Sequence, residues 1–250
     1  MYKRQDYSDR LVELPLGVFG IAIATVILPA LSKRHAEQSG EHFARMLDWA
    51  LRMVLLIGLP AALALVLLAE PLLVTLFHYG AMTDHDVVMA SRSLRAYALG
   101  LLAFMLIKVL APGYFARQDT KTPVKIGIVA MAANMLMNLA LIVPLAHAGL
   151  ALATALSAFL NAGLLGAGLR RRGVLRFQPG WGRYAFQVVG GCLLMGLVLW
   201  WLSPSWHVWV EWGALHRAGE LALLVAAGAG VYFAWLAVSG VRLRHFRLRG

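Results

Sequence analysis

Seven apolar stretches of about twenty residues follow one another along the sequence, separated by short polar links. A helix needs roughly 20 apolar residues to cross about 30 Å of hydrocarbon, and in a bilayer it satisfies its own backbone hydrogen bonds. The sequence therefore predicts an all-α integral membrane protein, a polytopic bundle of about seven transmembrane helices. The predicted spans are roughly 11–31, 53–77, 94–115, 124–145, 148–169, 184–202 and 218–241.

Composition agrees with this class and excludes several others. Of the 250 residues, 60% are hydrophobic and only 14% are charged, whereas soluble domains carry roughly 25% charged residues. The net charge of +11 is typical of a membrane protein with basic cytoplasmic loops, so no nucleic-acid partner is predicted. There is no phosphate loop, HExxH, CxxC or nucleophile elbow. We therefore predict neither an enzyme nor a metal site.

The distribution of Lys and Arg predicts the orientation. The links after spans one, three and five and the tail after span seven hold 16 of the 23 basic residues, which places these links and the C-terminus in the cytoplasm. The chain would then start outside, although Lys3 and Arg4 oppose that start. We infer a C-terminal portion of a longer protein. Its parts are a stub (1–10), a five-helix lobe (11–170), two further helices (184–241) and a basic tail (242–250).

Charged residues open span one. Asp9, Arg10 and Glu13 share a helix face that continues with small residues. A charge within a span costs at least about 2.5 kcal/mol unless it is paired or faces water. One interpretation is a cavity where Arg10 meets an anionic group, since its planar fork matches phosphate oxygens. The other is an interfacial salt bridge at a helix end.

Span three contains a lysine, Lys108, four residues before Pro112. Its amine either contributes to a cavity or is carried to an interface by its flexible stem. Pro112 and Gly113 predict a kink or a break in this helix, and broken helices often line transporter cavities.

Spans four and five are joined by the tight turn PLAHAG and must be antiparallel neighbours. Asn134 and Asn138 share a face of span four. Asn138 and Thr154 each lie about six residues from the turn, roughly 9 Å deep on their helices, so these two side chains could meet. An interhelical hydrogen bond, worth about 0.6 kcal/mol on average, is the favoured interpretation. A cation site is the alternative.

Several long strings resemble the MurJ (MviN) lipid II flippase family of the MOP exporter superfamily. They are SDRLVELPLGVFGIAIATVILPALSKRHAE, KVLAPGYFARQDTKTPVKI, NLALIVPLAHAGLALATALSAFLNAGLL and QPGWGRY. The resemblance covers nearly the whole chain and implies helices eight to fourteen of a fourteen-helix protein with two lobes around a central cavity. It implies that Arg10 binds the substrate pyrophosphate, that Asp9 and Glu13 tune it, and that the last two helices hold the lipid tail. Lys108 is a further candidate for the electrostatics of the cavity.

The resemblance also bears on the cation site. Some members bind sodium, and Asn134, Asn138, Leu150 (through its carbonyl) and Thr154 resemble the positions on helices eleven and twelve. An acidic ligand of that site is Asn138 here, and the helix-seven ligand is missing. We expect no resident cofactor, and coupling to membrane potential or to a monovalent cation stays open.

The predicted function is a lipid II flippase. It would move the undecaprenyl-pyrophosphate-linked precursor across the bacterial cytoplasmic membrane by alternating access, for cell wall biosynthesis. Its predicted partners are lipid II, membrane lipids and the missing N-terminal half. The alternatives are a polysaccharide-lipid flippase or cation-coupled multidrug exporter of the same superfamily, and a non-transporting membrane scaffold.

Overall fold

The computed structural model describes residues 40–78 and 83–240, together with Glu13 and Gly17. The predicted first span lies outside the described residues apart from Glu13 and Gly17, as do the stub and the basic tail. The described part is helical with short connections and contains no strand. Its helices are α1 (Gly40–Leu67), α2 (Ala69–Phe77), α3 (Asp84–Phe115), α4 (Lys121–Arg171), α5 (Trp181–Leu202), α6 (Trp206–Glu211) and α7 (Ala214–Val238).

Six segments of the described chain are helical, long and apolar enough to cross a membrane. They correspond to predicted spans two to seven, which confirms the all-α polytopic class. The six are Gly40–Leu67, Asp84–Phe115, Lys121–Leu145, His147–Arg171, Trp181–Leu202 and Ala214–Val238.

Helix α1 begins well before the predicted start of span two at Met53. Phe43, Leu47, Ala50 and Leu51 are buried at helical spacing, so the second half of the predicted polar link is an amphipathic helical extension. With 28 residues, α1 is about 42 Å long, which exceeds the thickness of the hydrocarbon layer. Its first turns therefore extend beyond the apolar layer.

A break separates α1 from α2. Leu68 lies between them with φ −95° and ψ 15°, and Pro71 has no N–H to donate to the carbonyl one turn earlier. Arg95 on α3 donates from Nε to the Val66 carbonyl (3.3 Å) and from Nη2 to Glu70 Oε1 (2.9 Å). One guanidinium thus contacts the chain on both sides of the break.

Helix α3 starts earlier than predicted and passes through its proline. Thr83 and Asp86 form a capping box at its N-terminus, which satisfies two free backbone N–H groups. The helix continues through buried Pro112 and Gly113 to Phe115. The helix is therefore not broken at these residues, and the alternative of a kink stays a prediction.

Helix α4 is a hairpin of two antiparallel arms, Lys121–Leu145 and His147–Arg171. Asn134 Nδ2 lies 3.5 Å from Thr154 Oγ1, although a straight helix would separate positions twenty residues apart by about 30 Å. A Cβ on Gly149 would collide with the Leu141 carbonyl oxygen, so the turn requires glycine there. The predicted antiparallel pairing is confirmed.

The helices form layers around α3. Helix α3 packs against both α1 and the α4 hairpin, while α5 and α7 pack together against α1. Gly100 allows α3 to approach α4 closely, because an added Cβ would lie 2.9 Å from the Ala155 backbone. We call the end where α1 begins, α3 ends and α4 both begins and ends the basic end. The other end, with α6, is the opposite end.

Candidate functional site

The residues predicted to contact the substrate lie mostly outside the described part of the chain. Asp9 and Arg10 lie outside the described residues. Glu13 is helical and exposed. The predicted roles of these three residues therefore stay predictions.

Lys108 lies on an exposed part of α3, about 10 Å along the helix axis from its last residue, Phe115. Within residues 40–78 and 83–240, no hydrogen bond or ion pair involves its amine. Its closeness to the basic end favours an amine that reaches the interface along its apolar stem. A role in a cavity stays a prediction.

The α4 hairpin brings the predicted polar residues together. Asn134 Nδ2 lies 3.3 Å from Ser157 Oγ as well as 3.5 Å from Thr154 Oγ1, and its Oδ1 accepts a hydrogen bond from Asn138 Nδ2 at 3.0 Å. Thr154 Oγ1 donates to the Leu150 carbonyl at 2.9 Å. The predicted meeting of Asn138 with Thr154 is therefore wrong: among the described residues Asn138 hydrogen-bonds Asn134, and Asn134, one helical turn farther from the connection, contacts the second arm.

These same groups decide how well a cation would fit. Asn138 Oδ1 is buried and accepts no hydrogen bond from any described residue, so this oxygen could act as a ligand. The cluster is uncharged, however, and the Thr154 hydroxyl is already hydrogen-bonded to the Leu150 carbonyl. The described residues contain no group of three or more His, Cys, Asp or Glu side chains able to hold a metal. The geometry accounts for interhelical hydrogen bonds, and a cation site stays a prediction.

A clamp at the basic end joins α5 to α1. Asp48, 3% exposed, accepts hydrogen bonds from Trp181 Nε1 (2.6 Å), the Gln178 backbone N–H (3.1 Å) and Arg52 Nε (2.9 Å). Arg52 also donates to the Gln178 and Pro179 carbonyls and lies 5.2 Å from the centre of a Trp181 ring. This arrangement gives the QPGWGRY string a structural role that sequence reasoning missed.

A second clamp closes the α3–α4 loop onto the end of α4. Asp119 accepts from Arg172 Nη1 (2.5 Å) and from Thr122 Oγ1 (2.7 Å) and its N–H (3.0 Å). The Arg172 guanidinium lies 5.4 Å from the centre of the Tyr114 ring. Hydrogen bonds from Thr122 and Arg172 hold the pKa of Asp119 well below its usual range. The clamp brings together the C-terminal end of α3 and the first and last turns of α4.

A buried arginine ties the helices at the opposite end. Arg217, 7% exposed, donates from Nε to the Trp209 carbonyl (2.8 Å), from Nη2 to the Val210 carbonyl (2.6 Å) and from Nη1 to the Val74 carbonyl (3.4 Å). These carbonyls belong to the last turns of α2 and α6, where a cation is favoured. The described part of the chain thus has polar clamps at both ends of the bundle.

Comparison with known families decides where this architecture belongs. The family model "Lipid II flippase MurJ" matches residues 5–217 of the chain, which is well over half of its length. The chain belongs to the MurJ lipid II flippase family. Both the predicted resemblance and the polytopic fold are thereby confirmed, and the chain is part of a multi-pass membrane protein family.

Relatives in the MurJ family agree over nearly the whole chain. A probable lipid II flippase MurJ of Vibrio cholerae is 49% identical over 243 residues, covering 96% of this chain and 46% of the relative. The lipid II flippase MurJ of Burkholderia cenocepacia is 40% identical over 246 residues, covering 98% of this chain and 48% of the relative. The chain therefore spans about half the length of the curated relatives it matches.

A solved MurJ structure has the same fold. A lipid II flippase MurJ in an inward closed conformation superposes with a TM-score of 0.78 at 21% identity, covering 94% of this chain and 46% of that one. At this identity the likeness concerns the fold alone.

Proposed function

We propose that this chain forms the C-terminal half of a lipid II flippase, which carries the lipid-linked peptidoglycan precursor across the cytoplasmic membrane. The observation that carries this proposal is the match to the lipid II flippase family model over residues 5–217. The relatives from Vibrio cholerae and Burkholderia cenocepacia that bear this name support it. The activity would require both halves, because those relatives are about twice as long as this chain.

The physical problem is the transfer of a charged headgroup. A pyrophosphate crosses hydrocarbon only along a polar path within the protein, because each unpaired charge there costs several kcal/mol. Arg10 would hold the pyrophosphate oxygens, and Asp9 and Glu13 would set its position and charge. Alternating access moves the cargo without breaking a bond, so the proposed function is transport and not catalysis.

The last two transmembrane helices would accommodate the lipid tail. Helices α5 and α7 carry exposed apolar side chains along their outer surfaces, including Phe186, Leu193, Leu197, Leu223 and Phe233. A prenyl chain can lie along such a surface without losing contact with apolar groups.

We place the basic end and the C-terminus in the cytoplasm, because Lys and Arg accumulate in cytoplasmic loops. If charge moves during the cycle, the membrane potential biases it by about 2.3 kcal/mol per charge per 100 mV.

Complementation tests the proposal. Bacterial cells depleted of their own lipid II flippase would receive a full-length protein that carries this sequence as its second half. We expect growth to be restored. Failure to grow, with normal levels of the protein in the membrane, would contradict a lipid II flippase and favour another transporter of the superfamily.

Substitution of Arg10, the proposed pyrophosphate-binding residue, distinguishes a transporter from a non-transporting scaffold. Arg10→Ala in the full-length protein should abolish complementation at normal protein levels, whereas Arg10→Lys, which keeps the charge but loses the fork, should retain part of it. Arg92→Ala is the matched control, since Arg92 is an exposed arginine at the opposite end of the bundle. Growth of cells that carry Arg10→Ala would show that Arg10 is not needed to bind the substrate.

A further inference from the structure

Five exposed basic side chains lie at the basic end of the α3–α4 unit. They come from three chain segments that the Asp119–Arg172 contact brings together across 53 positions: the end of α3 and the beginning and end of α4. We call them the basic rim: Arg117, Lys121, Lys125, Arg170 and Arg171.

The basic rim has no carboxylate to neutralise it within the described chain. Asp119 is the acidic residue of this region, and Arg172 and Thr122 already occupy both of its oxygens. No ion pair joins any rim residue to another described side chain. The rim is therefore a surface of unpaired positive charge at the end of the transmembrane helices.

Apolar side chains accompany these charges. Phe115 is 41% exposed, Val124 58% and Phe177 51%, and the Arg170 guanidinium lies 6.0 Å from the centre of the Phe177 ring. Basic groups beside exposed apolar groups at a helix end match the boundary between headgroups and acyl chains. A water-soluble anion would gain no binding energy from the exposed apolar side chains.

We propose that the basic rim is a binding surface for anionic phospholipids of the leaflet it faces. The phosphodiester groups would lie against Arg117, Lys121 and Arg171, and the upper acyl segments against Phe115 and Phe177. Lysine and arginine side chains near an anionic leaflet each strengthen such attraction roughly fivefold. The rim does not include Arg10, and it would bind lipid whether or not the protein moves cargo.

Native mass spectrometry of the 250-residue chain in detergent tests this surface. Phosphatidylglycerol and phosphatidylcholine with the same acyl chains are added at equal concentration, and the number of bound lipids is compared. We expect phosphatidylglycerol to bind at least about tenfold better at low salt, and its advantage to shrink as NaCl is raised. Equal binding of the two lipids, or a preference that salt does not change, would overturn the proposal.

Matched variants locate the site. The triple variant Arg117→Gln, Lys121→Gln, Arg171→Gln should lose at least about tenfold in phosphatidylglycerol binding. The control triple Arg92→Gln, Arg176→Gln, Arg183→Gln removes the same charge from exposed arginines outside the rim and should keep the preference. Equal losses in both would indicate diffuse attraction to net charge and overturn the assignment to the rim.

A soluble headgroup separates lipid binding from simple phosphate binding. Glycerol 3-phosphate at about 10 mM should leave most phosphatidylglycerol bound, and Phe177→Ala should weaken lipid binding severalfold. Full displacement by glycerol 3-phosphate, with no effect of Phe177→Ala, would mean that the rim takes free phosphate esters and would contradict the lipid assignment. The wild-type comparison of the two lipids decides the matter even if a variant fails to fold.

Discussion

The indole N–H of Trp181 donates a 2.6 Å hydrogen bond to Asp48, 133 positions earlier in the chain. The same carboxylate accepts from Arg52 and from the Gln178 backbone, so one buried charge joins α1 to the loop that leads into α5. Farther along these helices, Tyr232 on α7 donates to the Leu56 carbonyl of α1 at 2.7 Å. Arg217 adds the contact at the opposite end. The α5–α7 pair is thus attached to α1 and α2 at three levels.

Removal of the Asp48 carboxylate should destabilise the bundle. In Asp48→Ala, Arg52 Nε and the Trp181 N–H lose their acceptor, and the half-buried guanidinium loses its carboxylate partner. We expect the free energy of unfolding to fall by about 2–4 kcal/mol, seen as a lower midpoint of thermal unfolding in detergent. Glu41→Ala is the control, because Glu41 is exposed and its nearest contact to Arg45 is 3.9 Å. A change of less than about 0.5 kcal/mol is expected there. Similar midpoints for both variants would show that the clamp contributes little.

The turn of the α4 hairpin should be intolerant of a side chain at Gly149. Gly149→Ala places a methyl group against the Leu141 carbonyl and should lower the unfolding midpoint by several degrees or reduce folded yield. Gly163→Ala in the second arm is the matched control, since no atom lies within 4 Å of an added Cβ there. It should gain about 0.5–1 kcal/mol from helix propensity. If Gly149→Ala is as stable as this control, the close approach of the arms is wrong.

The two asparagines of α4 should differ in importance. Asn134 contacts Thr154, Ser157 and Asn138, so Asn134→Leu should cost about 1–2 kcal/mol. Among the described residues Asn138 makes one side-chain hydrogen bond, and its oxygen has no partner there, so Asn138→Leu should be nearly neutral. Unfolding midpoints measured in KCl give this comparison.

The same variants test whether the asparagine cluster binds a cation. Replacing KCl by NaCl at constant ionic strength should leave the wild-type midpoint unchanged if the cluster holds only hydrogen bonds. A sodium-dependent rise in the wild type that disappears in Asn138→Leu would instead establish a cation site.

The Asp119 clamp should make stability depend on pH in the acid range. Because the folded pKa lies below the unfolded value of about 3.9, its contribution is fully present well above pH 4. The contribution is lost as the pH falls from that value through the folded pKa. Asp119→Asn should therefore be less stable than the wild type at pH 7, and the difference should shrink below about pH 4. A difference that stays constant between pH 7 and pH 3 would contradict the assigned ionisation.

Much of the fold could be predicted because a bilayer imposes strict requirements on each segment. Six of the seven predicted spans are helices in the described chain, and the short turn after Pro144 could only join antiparallel neighbours. The helix starts were predicted less well. Burial of Phe43 and Leu47 and capping by Thr83 extend α1 and α3 into stretches that are too polar for the hydrophobicity pattern to include.

Part of the candidate site could be predicted as well. Helical periodicity predicts that polar side chains of the two arms share facing sides, but the depth count paired Asn138 with Thr154. In the structure Asn134, one helical turn farther from the connection, faces Thr154, because the depth of each residue depends on where the turn begins and ends. Lys108 shows the limit of this reasoning, because its depth depends on where α3 ends. Its position about 10 Å from that end follows from the uninterrupted passage of α3 through Pro112.

Hydrophobic length and charge act on each segment separately, so the linear pattern is enough to predict which segments enter the membrane and which end is basic. Which charges are neutralised depends instead on how the helices pack. Asp48 and Arg217 are bound by groups far away along the chain, and Asp119 pairs with Arg172 while the neighbouring rim residues stay free. These pairings depend on helix packing, which local pattern does not encode.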